Sequence, residues 1–108
     1  MSLTRGRMLG YDKQRMAFGF TMFHDGEEVR CQISAVAIDE LIGGPRGTHV
    51  DREAQFLELR EIIERLSAAK FEAGPVTPGS ILYIFAKDIR KSLGRKVEAF
   101  ASLRAKDN

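Results

Sequence analysis

The segment 51–71, DREAQFLELREIIERLSAAKF, constrains the fold more than any other, because its apolar residues keep a helical period throughout. At 100° per residue, Phe56, Leu59, Ile62, Ile63, Leu66 and Ala69 fall on one stripe. The opposite side carries Glu53, Glu58, Glu61, Glu64 and Glu72 with Arg60 and Arg65 among them. Arg60 to Glu64 and Glu61 to Arg65 are spacings that suit helical ion pairs. Burying each large side chain is worth roughly 1.5–3 kcal/mol. An exposed ion pair gives only about 0.3–0.5. Packing of the stripe therefore decides where the helix lies, and the stripe needs a partner surface.

That surface is legible upstream. Met16, Phe18, Phe20 and Met22 alternate with Ala17, Gly19, Thr21 and Phe23, the period of a strand with one large-residue face. Asp25-Gly26 is a hairpin turn signal, and Val29, Cys31 and Ile33 then alternate with Arg30 and Gln32. Ser34 is placed to cap a short helix whose Ala37, Ile38, Leu41 and Ile42 share a side, and Gly43-Gly44-Pro45 stops it. Beyond the long helix, residues 72–79 return the chain, and 80–86 (SILYIFA) read as a central strand. Residues 1–15 show no fixed period. The predicted fold is α+β and two-layered: an antiparallel sheet of about three strands in ββααβ order, helices on one face, and a C-terminal helix. A single domain over 1–87 and a helical extension over 88–108 follow from this pattern.

With 108 residues, 44% of them hydrophobic, the chain has room for one modest core. No apolar run approaches the roughly 20 residues that span a bilayer, and MSLTRGRMLG lacks the apolar centre of a signal peptide, so no membrane partner and a cytoplasmic location are expected. The one cysteine, Cys31, allows no internal disulfide and points to the apolar side of its strand, as an inert thiol. Net charge is +2 but unevenly laid out: Arg5, Arg7, Lys13 and Arg15 face only Asp12 in the first fifteen residues, and Lys and Arg outnumber acids again from 87 onward. Basic ends around an acidic body suit nucleic-acid attraction, head-to-tail association or simple solvation.

Chemistry is thinly represented. His24 adjoins a turn and His49 a loop, with no nucleophile or orienting acid spaced beside them. One cysteine and two separated histidines do not make a metal set, so no metal or cofactor is expected. Glu61 and Glu64 share a helix face, but neighbouring arginines favour their ionised forms, the reverse of what a general acid needs. The glycine-rich loop 43–48 has the flavour of a phosphate cradle without the required Gly-Lys-Ser/Thr spacing, and Asp51 at the next helix start competes with an anion. Tyr83 reads as a packing aromatic. An enzyme is not expected; it would need a pocket that gathers His24, His49 or Cys31 with a carboxylate.

The residues Phe18, Val29, Cys31-Gln32-Ile33-Ser34, Ala37, Leu41, Phe56, Leu59-Arg60, Ile63-Glu64 and Lys70 make the chain resemble a small bacterial family known as domain of unknown function fourteen-eighty-eight. The resemblance runs from about Leu9 to Phe85; its most specific parts are Val-x-Cys-x-Ile-Ser and Phe-x-x-Leu-Arg-x-x-Ile-Glu. It implies a short α+β domain with two strands, two helices and a further strand, and it brings no catalytic or ligand residues.

The leading functional expectation is an accessory or interaction domain that self-associates into a homo-oligomer. Ile89, Leu93, Val97 and Phe100 form the apolar stripe of the C-terminal segment and are the candidate contact, with Leu57 a further exposed candidate. The alternative is nucleic-acid binding through Arg5, Arg7, Arg90, Lys91, Arg95 and Lys96.

Overall fold

The computed structural model describes residues 3–43, 51–77 and 79–91. The chain runs β1 (Thr4–Asp12), β2 (Ala17–His24), β3 (Glu27–Ser34), α1 (Ala35–Ile42), α2 (Arg52–Ala73) and β4 (Ile81–Ile84), and helix resumes over 86–91. The architecture is α+β: one four-stranded sheet in the order β1-β2-β3-β4, with the helices packed on one face.

The β2–β3 hairpin forms as the sequence demands. Its two-residue loop puts Asp25 at φ 50° and Gly26 at φ 82°, the pair of positive φ values that matches the twist of tight hairpins. His24 then pairs with Glu27 and the ladder runs without a break to Ala17 and Ser34. Ser34 closes the strand and caps α1, its hydroxyl accepting from Ala37 N–H at 3.0 Å. Gly43 ends that helix in the left-handed region at φ 103°. Asp51 caps α2, accepting from Ala54 N–H at 3.1 Å.

The expected sheet is corrected in two places. The unassigned opening is a full strand, β1, antiparallel to β2, and its register shifts between Arg5 and Met8 and again between Met8 and Gly10. Those irregularities destroy the period of two, which is why the alternation was not visible. The strand at 81–84 is not central and not antiparallel: it lies at the sheet edge, parallel to β3, with Cys31 opposite Leu82 and Ile33 opposite Ile84. A 22-residue helix is about 33 Å long, enough to carry the chain back to the end of the sheet where β3 began, so the next strand runs in the same direction as β3.

Phe18, Phe20, Met22, Cys31, Ile33, Leu82 and Ile84 supply the sheet side of the core, and Ala37, Ile38, Phe56, Ile63, Leu66 and Phe71 the helical side. Phe56 is its centre, with its ring stacked on Phe18 at 4.4 Å and tilted against Phe20 at 5.1 Å. Two expected core members fall outside. Met16 has φ 51° and is 58% exposed in the turn before β2, so the large-residue stripe starts at Phe18. Ala69 is exposed, while Ser67 and Phe71 are buried, because at about 100° per residue Ser67 and Phe71 stay within about 60° of Phe56 whereas Ala69 stands about 140° away. Ser67 satisfies its hydroxyl by donating to Ile63 C=O at 2.8 Å.

Helix 86–91 begins on this body. Ile89 is 3% exposed and belongs to the core. Asp88 accepts from Phe85 N–H and from Lys70 Nζ, both at 2.8 Å, and Arg90 pairs with Glu40 of α1 at 2.7 Å. Burial works against ionising Asp88, yet its bonds from Lys70 and Phe85 hold its pKa below the ordinary value.

Candidate functional site

Among the described residues, no helix packs on the other face of the sheet. Directly opposite residues share a face, so Gly19, Gln32 and Tyr83 form one row across β2, β3 and β4, and Thr21, Arg30 and Ile81 form the next. Tyr83 and Phe85 stack on one another at 5.7 Å and 8°, and they are 40% and 43% exposed. Leu9 of β1 leans over Gly19, close enough that a Cβ there would lie 3.3 Å from that of Leu9. The result is a shallow hollow of ≈ 400 Å³ floored by Ala17 and Gly19 and bounded by Leu9, Lys13, Arg30 and Gln32.

Beside the hollow the polar groups are satisfied. Thr21, 1% exposed, accepts from Arg7 N–H at 2.8 Å and donates to Glu28 at 2.8 Å. Arg7 adds a two-pronged pair to Glu28, both contacts at 2.8 Å. The bonds from Arg7 and Thr21 hold the Glu28 carboxyl down at about 2. β1 rides so close at this point that a Cβ on Gly6 would sit 2.3 Å from the Thr21 hydroxyl.

Each residue expected to act has a definite place. Arg5 forks onto Glu64 of α2 at 2.8 and 2.9 Å, where Arg60 joins at 3.1 Å, so it ties β1 to the helix. Arg7 is held by Glu28 and Arg90 by Glu40, whereas Lys91 is exposed with no ion-pair partner among the described residues. Ile89 faces its own core. Leu93, Arg95, Lys96, Val97, Phe100 and His49 lie outside the described residues, as does loop 43–48 apart from Gly43. Leu57 is 49% exposed. The helical pairs Arg60–Glu64 and Glu61–Arg65 both form, at 3.1 Å.

Cys31 is 1% exposed on the inner face opposite Phe20, and burial pushes its thiol up to about 12, far from a reactive thiolate. His24 stands at the hairpin end with its ring 4.8 Å from Phe71 and Nε2 3.4 Å from Asp25. Its Nδ1 is buried without a partner among the described residues, beside a hollow of ≈ 220 Å³. Histidine and thiol therefore belong to different parts of the sheet. No group of three or more His, Cys, Asp or Glu among the described residues is arranged to hold a metal ion, and no described helix is long and apolar enough to cross a membrane.

What the sequence pattern did not single out is the joint surface of Leu9, Gly19, Arg30, Gln32 and Tyr83. Period-two parity already placed Arg30 and Gln32 away from the core, but the proximity of Leu9 and Tyr83 depends on strand order.

This is a small two-layer α+β domain whose second sheet face carries no helix among the described residues. The chain belongs to the DUF1488 family, proteins of unknown function, whose sequence signature matches residues 6–82. It is similar in fold to a protein of unknown function of the same family from Shewanella loihica PV-4, known from a crystal structure, with TM-score 0.64 and 19% identity over 77% of this chain and 91% of that one. No curated protein matches the chain.

Proposed function

We propose that this protein is a small cytoplasmic interaction domain that acts by binding rather than catalysis, and that its second sheet face and C-terminal segment join two copies of the chain. The stacked Tyr83–Phe85 pair carries this reading. Register puts Tyr83 on this face, Phe85 stacks on it just past β4 with Lys70 Nζ of α2 5.4 Å from its ring, and both rings stay more than one-third exposed. Leu9, 44% exposed, adds apolar surface on the same face. Two such faces meeting about a twofold axis would cover one another's rings. Open backbone edges do not compete as the contact: β1 is interrupted by its register shifts, and on β4 Lys70 donates to the Tyr83 carbonyl while Asp88 accepts from Phe85 N–H.

Sedimentation equilibrium tests this directly. The full chain is expected to be dimeric, and the double variant Tyr83→Ser, Phe85→Ser to dissociate with a constant at least about a hundredfold larger, since burying each ring is worth roughly 1.5–3 kcal/mol. A full chain that stays monomeric at high concentration, or a double variant that associates equally well, would refute it. A chain ending at Lys91 reports separately on Leu93, Val97 and Phe100.

A second reading, nucleic-acid binding, is favoured by one observation. Lys13, Arg30, Lys87 and Lys91 have no ion-pair partner among the described residues, unlike Arg5, Arg7 and Arg90. Single-stranded RNA would stack on Tyr83 and Phe85 and meet those cations. The expected result is a gel shift at low salt that weakens as salt rises. Absence of a shift at tens of micromolar protein removes it.

A further inference from the structure

The geometry points to the hollow over Gly19 as a binding site for a small oxyanion, a carboxylate or phosphate borne on a metabolite-sized molecule, gripped by Arg30 with Lys13 and Gln32. This goes beyond the dimer reading and shares its sheet face, but it is tested apart from it, by anion binding rather than by association. Space comes first. The hollow of ≈ 400 Å³ is within the roughly 300–1,000 Å³ of small-molecule clefts, and it exists because Ala17 and Gly19 put almost no side chain on that part of the face.

Charge comes second. The acid on the rim, Asp12, is already engaged: one carboxylate oxygen accepts from the Gln14 and Arg15 N–H groups at 2.9 and 3.2 Å, and the other lies 3.7 Å from Arg15 Nε. Nearby Glu28 is held by Arg7 and Thr21. Of the four Lys and Arg side chains without an ion-pair partner among the described residues, two, Lys13 and Arg30, line this one hollow. Uncompensated cations around a concavity lower the energy of an anion inside it, and low-dielectric walls strengthen the effect.

Geometry comes third. Arg30 and Gln32 project from alternate positions of β3 on the same side, with Gly19 facing Gln32 across the ladder and leaving the amide accessible. A guanidinium fork meets a carboxylate or phosphate with two parallel hydrogen bonds, and the Gln32 amide supplies a further donor. Tyr83 is opposite Gln32 on the other side, so a ligand body longer than its anion would run toward that ring.

Amide NMR of the full chain, titrated separately with sodium phosphate and sodium acetate at constant ionic strength, tests the site. The expected result is saturable shifts confined to Gly10, Gln14, Gly19 and the 30–32 stretch. Shifts with phosphate alone mark a phosphate site, shifts with acetate alone a carboxylate site, and shifts with both a general oxyanion site; each supports the proposal. Arg30→Gln, an exposed position whose replacement leaves the core intact, is expected to weaken binding at least about tenfold. Arg65→Gln, on the outer side of α2, is expected to change nothing. No saturable shift at tens of millimolar of either anion overturns the proposal. So does equal binding by Arg30→Gln, or equal weakening by Arg65→Gln.

Discussion

Replacing Phe56 with alanine is expected to lower the unfolding free energy by roughly 3–5 kcal/mol. Phe56 is fully buried and its ring meets both Phe18 and Phe20, so truncation removes a layer of contact between α2 and β2 and leaves a void that neighbouring strands, fixed by their ladders, do not collapse to fill. The loss is a large part of the roughly 5–15 kcal/mol that a domain possesses. Urea unfolding followed by circular dichroism measures it. Leu57→Ala, one residue along and 49% exposed, is the comparison and is expected to change stability by no more than about 0.5 kcal/mol. Equal losses at the two positions would mean that α2 does not present this side to the sheet.

Ending the chain at Lys87 is expected to cost roughly 2–5 kcal/mol, the range for removing a buried isoleucine side chain, while ending it at Lys91 keeps every contact described for helix 86–91. The difference arises because Ile89 is in the core and Asp88 holds Lys70 and the Phe85 amide. Comparing the two truncations with Ile89→Ala in the full chain by thermal melting separates the side chain's burial from the polar contacts. If the Lys87 truncation melts with the full chain, residues 88–91 contribute nothing to the body. A change in association seen only after cutting at Lys87 reports damage to the domain; the Lys91 truncation is the one that reports on an interface.

How much of this could be read in advance depends on whether the signal was local. The caps at Ser34 and Asp51, the Asp25-Gly26 turn and the helical pairs of α2 each involve residues within four positions, and all form as their spacing implies. The inward set Phe18, Phe20 and Met22 was equally plain, because a regular strand turns alternate residues to one side. β1 was not legible, since shifted register erases that alternation. The edge position of β4 was not legible either: Ile81, Tyr83 and Phe85 make the run apolar throughout, which is also what a central strand looks like. The candidate site suffered most. Arg5 and Arg7 look like free cations in a basic opening, and only partners 59 and 21 residues away turn them into fasteners.

The sequence by itself determined the elements from β2 to α2, their caps and the face each one buries, because period and capping act between neighbours along the chain. Only the tertiary structure decided that β4 joins parallel at an edge, that Ile89 turns inward, and that Arg30 and Lys13 line the hollow over Gly19 with no ion-pair partner among the described residues. Strand order and long-range charge pairing are settled by which surfaces meet in space, and residues far apart in the chain carry no local mark of that meeting.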